Sequence, residues 1–301
     1  MSDRTVSPER PRSPDRSAPA EPGRWLALRQ LPLRIVPLPM LAARRGMLGG
    51  RGSVHMVERH ARAYRRAWLI LLSGFFEPLF YLLSIGIGIG ALVGAVRFAG
   101  HAVGFTSFVA PALLATSAMN GAILDSTFNI FFRLKYAKLY DAALSTPMRS
   151  GDVALGEISW ALIRGGLYAC GFMVIMLAMG LVHSAWAALD IPVALLIGLA
   201  FAGAGMATTT FIRSWQQFEF VTLMTLPMFL FSTTFYPLSV YPRPVQLVVD
   251  CTPLYQGIAV LRGLTLGYVG PCLLWHVLYL AVMGIGGVAL AGYRIGRLLL
   301  R

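Results

Sequence analysis

Residues 191–211 read IPVALLIGLAFAGAGMATTTF, twenty-one positions without one Asp, Glu, Lys or Arg. Coiled as a helix at 1.5 Å per residue, this run is about 31 Å long, the thickness of a bilayer's hydrocarbon core. It is apolar on every side, the pattern of a helix whose solvent is lipid. Working outward, comparable blocks lie at 68–92, 105–130, 156–182, 218–238 and 272–290. Composition agrees, since 56% of the 301 residues are hydrophobic and 13% are charged, against about 25% charged in an ordinary soluble domain. The expected fold is an all-α polytopic membrane protein with six transmembrane helices.

The net charge of +13 is unevenly placed, with fourteen of the 26 basic residues before Trp68. Such a distribution reads as a topology signal and an attraction to anionic head groups, and argues against a nucleic-acid partner. With the amino terminus inside, the inner segments carry 22 basic residues and the outer ones only Arg97, Arg243 and Arg262, while Arg164 falls within the third block. Both termini are therefore expected to be cytoplasmic, in a bacterial inner membrane. Residues 1–50 form a basic, Pro- and Arg-rich cytoplasmic tail. Its first half lacks apolar periodicity, and Arg29, Pro32, Arg34, Pro37 and Pro39 break its second half, so disorder without a signal-peptide core is expected. Residues 51–301 then make up the membrane domain.

Within 53–68, Val54, Val57, Ala61, Tyr64 and Trp68 recur at spacings of three and four, with Arg59, Arg62, Arg65 and Arg66 between them. This is an amphipathic helix lying in the head-group region. The first block carries Glu77-Pro78 about halfway across, and an ionisable residue at that depth is a functional candidate or a packing charge satisfied within the bundle. Arg164 lies at the same depth in the third block, so Glu77 and Arg164 are expected to form an intramembrane charge pair. Gly86, Gly90 and Gly94 suit close helix packing. Neither lysine follows a glycine, so no Walker A loop is present, and this chain has no site for ATP hydrolysis by that route. Three unpaired cysteines and five scattered histidines give no metal-ligand pattern, and no catalytic residue is assigned.

Between blocks two and three, residues 134–145 can form a short helix with Lys135, Lys138 and Asp141 on one side and Tyr136, Leu139, Tyr140 and Ala143 on another. A solvated amphipathic peg of this kind suits a groove on a peripheral partner. Residues 236–270 are too apolar for a free loop and too broken by Pro237, Pro242, Pro244 and Pro253 to span, which predicts two short helices re-entering the outer leaflet.

SGFFEPLFYLLSIGIGIG (73–90), KLYDAALSTPM (138–148), FLFSTTFYPLSVYP (229–242) and PLYQGIAVLRGL (253–264) resemble the type-2 ABC exporter permeases, and more narrowly the nodulation protein J-like branch. That resemblance runs from about Arg51 to the carboxyl end. It implies a transport subunit paired with a second permease, either an identical copy or a paralogue, and docked on a separate ABC ATPase that holds ATP and Mg, with no cofactor in this chain. The coupling helix, with Lys135, Lys138, Leu139, Tyr140 and Asp141, would meet the ATPase. Spans one, two and five would line the path, with Phe75, Phe76, Asn120, Met224, Phe229 and Thr233 as wall residues. The implied substrate is amphipathic: a lipooligosaccharide, a lipid-linked glycan or a hydrophobic drug. Two other classes compete. A proton-coupled secondary transporter would use Glu77 as a relay, and a membrane-embedded transferase would need clustered acidic or basic groups at one face.

Overall fold

A computed structural model describes residues 51–65, 76, 78–133, 150–212 and 214–299. The tail over 1–50, Phe75, Glu77 and the coupling residues Lys135, Lys138, Leu139, Tyr140 and Asp141 lie outside the described residues.

Helix α1, Arg51–Arg65, is amphipathic, and the stripe it buries is not the one read from spacing alone. Met56 and His60, four residues apart, are buried, while Val54 is exposed. The first turns of α4 (Ser150–Ala178) set that rotation. A Cβ on Gly156 would stand 2.6 Å from Met56 Cβ, and one on Gly52 would stand 2.9 Å from Asp152 Cγ, so the two glycines let the helices touch.

Helix α2, Pro78–Val93, widens into a π-helical register over Leu82–Ile89. The side chain of Thr106, on the next helix, fills the notch left by Gly86 and Gly90, where added Cβ atoms would stand 3.0 and 2.8 Å from it. Its hydroxyl donates to the Gly86 carbonyl. The Gly86/Gly90 pair thus packs within the chain, as small residues four apart do in lipid.

Two strands follow, β1 (Ala95–Phe98) and β2 (His101–Gly104), paired antiparallel with Val96 opposite Val103. This hairpin corrects the all-α expectation. The turn is Ala99-Gly100, with φ of 50° and 83°, and positive φ at both central positions is the mirror-image turn that matches strand twist. Phe98 sets its ring against Phe108 and Tyr268, which anchors the ribbon to the bundle.

Four described helices are long and apolar enough to cross a membrane: Phe105–Asn129, Gly151–Ala178, Ala185–Thr209 and Cys272–Arg297. The first, α3, is the central element and buries Phe108, Leu113, Leu114 and Met119. Helices α5 (Asp190–Thr209) and α9 (Cys272–Leu299) pack backbone to backbone. A Cβ on Gly203 would stand 2.7 Å from the Gly284 carbonyl oxygen, a distance only glycine permits.

The expected fifth span, 218–238, is helical only as α6, Phe218–Phe231. Its 14 residues reach about 21 Å, short of the ~30 Å core. Thr233, with φ 60°, turns the chain out of the helix. The stretch Ser232–Thr234 is buried instead of spanning. Beyond it, two short helices, α7 (Arg243–Asp250) and α8 (Pro253–Leu266), occupy the Pro-rich segment. Pro at N1 or N2 starts each of them. Helix α8 is protein-covered, burying Leu254, Ile258 and Leu261.

Candidate functional site

Four helices converge on a cleft of about 330 Å³. Its first wall is polar, built from Thr116, Ser117 and Asn120 of α3 with Arg164 of α4. Its second is mainly aromatic and aliphatic: Tyr81 of α2 faces Phe229 of α6, ring centroids 6.1 Å apart, with Leu226, Thr222 and Thr225 of α6 beside them. The polar wall is held from behind. Arg164 forms a buried ion pair with Asp125, one turn beyond Gly121 on α3, and Asn129 donates to the same carboxylate at 2.8 Å. A buried charge pair needs extra hydrogen bonds to offset desolvation. Asn129 supplies one.

Spacing along α3 explains the wall. Asn120 and Thr116 are four residues apart and share a face, whereas the Thr116 hydroxyl is turned back on the Ala112 carbonyl at 2.9 Å. Asn120 is only half-buried, and its amide has no hydrogen-bond partner among the described residues. The cleft therefore offers one neutral amide and one guanidinium edge on one side and ring faces on the other, so polar and apolar surfaces face each other across it.

The five described wall residues are distributed more widely than the sequence implied. Asn120 and Phe229 meet in the cleft. Met224 sits on the opposite face of α6 and lines a second, larger cavity. Thr233 is buried past the end of α6, where its carbonyl accepts from Arg262 at 2.8 Å. Phe76 is exposed and stacks on Phe80, 5.9 Å away. Arg164 has Asp125 as a partner that sequence depth alone did not single out, because Asp125 lies at the end of an otherwise uncharged block and invites a reading as its boundary. Pro78, the residue after Glu77, borders the same cleft.

A second polar cluster escaped the sequence reading altogether. His60 Nε2 of α1 lies 3.1 Å from Glu157 Oε2 of α4, and Arg133, just past α3, joins the same carboxylate oxygen. His60 also lies against the Trp160 ring, with centroids 5.8 Å apart. Arg133 and Ser150 flank the loop that carries the expected coupling residues, so this cluster ties both roots of that loop to α1. One signal was present: a histidine in place of an apolar residue on the inner stripe of α1.

These elements define a multi-pass helical membrane protein with a two-walled cleft between its helices. The ABC-2 type transporter family matches residues 54–266, and the chain belongs to it. It is 34% identical over 215 residues to nodulation protein J of Rhizobium leguminosarum bv. trifolii, an alignment spanning 70% of this chain and 80% of the relative. The protein of the same name from Rhizobium leguminosarum bv. viciae is 32% identical over 223 residues, covering 73% and 84%. That of Rhizobium meliloti (strain 1021) is 32% identical over 214 residues, covering 70% and 79%. The chain is thus a membrane-embedded transport subunit of the ABC type, in a nodulation protein J-like branch, and such a subunit works with an ABC ATPase.

Proposed function

We propose that the chain is the permease half of an exporter that moves an amphipathic molecule, such as a lipooligosaccharide, a lipid-linked glycan or a hydrophobic drug, out across the cytoplasmic membrane. Six membrane-embedded helices, α6 among them although it is shorter than a full span, surround a path to which the cleft belongs, with both termini inside. Two permeases, identical or paralogous, form the full pathway over residues 51–301, with the first fifty residues as an inner tail. ATP and Mg sit on the separate ATPase. That partner is met through Lys135, Lys138, Leu139, Tyr140 and Asp141.

The observation that carries this reading is the facing of Asn120 and Arg164 against Tyr81 and Phe229. Aromatic faces take the acyl or ring portion of a substrate, and the amide and guanidinium edge take its polar portion. The Arg133–Glu157–His60 cluster supports the coupling role, since a loop fixed at both roots passes a push from the ATPase into α1 and α4. Co-reconstitution with the ATPase in proteoliposomes tests the proposal, using efflux of a fluorescent acylated oligosaccharide as the readout. Efflux is expected only with both subunits and hydrolysable ATP. Efflux driven by a proton gradient with the ATPase absent would make the chain a secondary carrier and overturn the reading.

A further inference from the structure

The larger cavity, about 1100 Å³, lies on the far side of α6, between it and α5, α7 and α9. Its size is that of a site for a lipid-like ligand. The lining is mostly Phe, Met, Val, Ile and Pro side chains, with Gln217 at one end and four threonines whose hydroxyls are already hydrogen-bonded within the protein. Thr127, Thr208 and Thr225 each donate to a backbone carbonyl one turn back in their own helix, at 2.6, 2.8 and 2.7 Å, and Thr252, just before α8, donates to the Val249 carbonyl at 2.7 Å and lies 3.1 Å from the Ser232 hydroxyl. Internal satisfaction of this kind leaves their methyl groups to face the void. The groove runs the length of α6, about 21 Å, which exceeds the ~15 Å depth of one leaflet's hydrocarbon.

A charge adjoins one end of the groove. Phe211, which lines it at the end of α5, carries the Arg294 guanidinium on its ring face at 3.6 Å. Arg294 Nε donates to the Thr210 hydroxyl at 2.8 Å, and no carboxylate pairs with it among the described residues. A guanidinium fixed at the mouth of an apolar groove with only a neutral partner is complementary to an anion arriving with an acyl chain.

We propose that this groove is a binding site for an anionic membrane phospholipid, its acyl chain lying along α6 and its phosphate on Arg294. The site is distinct from the cleft, and it does not depend on what the transporter exports. Purified protein in nanodiscs, without its ATPase, is labelled with diazirine-acyl phosphatidylglycerol or diazirine-acyl phosphatidylcholine, and the adducts are mapped by mass spectrometry. Adducts from the phosphatidylglycerol probe are expected on Met224, Val245, Val248 and Met283, competed by unlabelled phosphatidylglycerol and not by phosphatidylcholine. Arg294→Gln is expected to lower them about fivefold, the effect of one basic residue at a lipid surface. Arg294→Lys, which keeps the charge, should retain the preference. Met224→Trp, which fills the groove, should remove labelling by both probes. Equal labelling by the two lipids, or adducts spread evenly over the exposed Leu274, Leu278 and Val282 of α9, would reduce the groove to bulk lipid contact and overturn the proposal. Cross-links joining two copies of the chain at Met224 would seat a second copy there, with the same consequence.

Discussion

Helix α6 borders two cavities, with Thr225 lining both, and the two differ in whether any buried polar group is shared between helices. On the cleft side Thr116 folds its hydroxyl back on its own helix, but Arg164 of α4 meets Asp125 of α3 across helices, and Asn120 is left with its amide free among the described residues. On the groove side Thr127, Thr208 and Thr225 satisfy their hydroxyls within their own helices, and only Thr252, between α7 and α8, also meets a hydroxyl of another segment, that of Ser232. Buried polarity shared between helices fixes how those helices sit and keeps chemistry available to a ligand. Polarity folded back on one helix provides no recognition, and leaves a surface that only an apolar chain fits. Two cavities lined from the same helix are thereby suited to different molecules.

The largest effect that would break this comparison lies in the buried pair. Arg164→Leu leaves Asp125 without that ion-pair partner and should cost about 3–5 kcal/mol, read as loss of monodisperse protein in fluorescence size-exclusion after heating. The double variant Arg164→Leu with Asp125→Leu should recover most of that loss, and strict additivity would show that the two charges act independently. Next in size is Glu157→Gln, which weakens the cluster joining α1 to Arg133 and α4 and should cost about 2–3 kcal/mol through its lost charged hydrogen bonds. Its ATP hydrolysis in the reconstituted complex should lose its stimulation by substrate while basal hydrolysis continues. Asn120→Leu should leave stability within about 1 kcal/mol, because no protein partner is lost, yet lower efflux about tenfold by removing one polar contact to the cargo. Smallest of all is Thr208→Val on the groove side. Its hydroxyl only closes on its own helix, so both stability within about 0.5 kcal/mol and efflux should be unchanged.

Much of the fold was legible in the chain because lipid imposes a simple rule. A run such as 191–211 has one stable state in hydrocarbon, and the prolines at 242, 244 and 253 announce helices too short to span. Details that depend on neighbours were hidden. Nothing local in 218–238 says that the helix stops at Phe231, because the left-handed Thr233 is held by Arg262 of α8, 29 positions away. The hairpin at 95–104 carries a weak Ala99-Gly100 turn signal that is easily read as an ordinary loop. Which face of α1 is buried is decided by Gly156 on α4. In the site, Asn120 and Phe229 were within reach of sequence reasoning as polar and aromatic residues at similar depth on facing spans. Met224 was not separable from them, since placing it on the far face of α6 requires the rotation of that helix about its axis.

The most direct test of the division between cleft and groove is thiol blocking in the reconstituted complex. The exposed native Cys170, Cys251 and Cys272 are first replaced by serine. Phe229→Cys and Met224→Cys are then compared before and after reaction with a bulky maleimide, with efflux of the acylated oligosaccharide probe as the readout. The account predicts that modification at position 229 stops ATP-driven efflux and that modification at position 224 leaves it running. Block at 224 with efflux intact at 229 would contradict it.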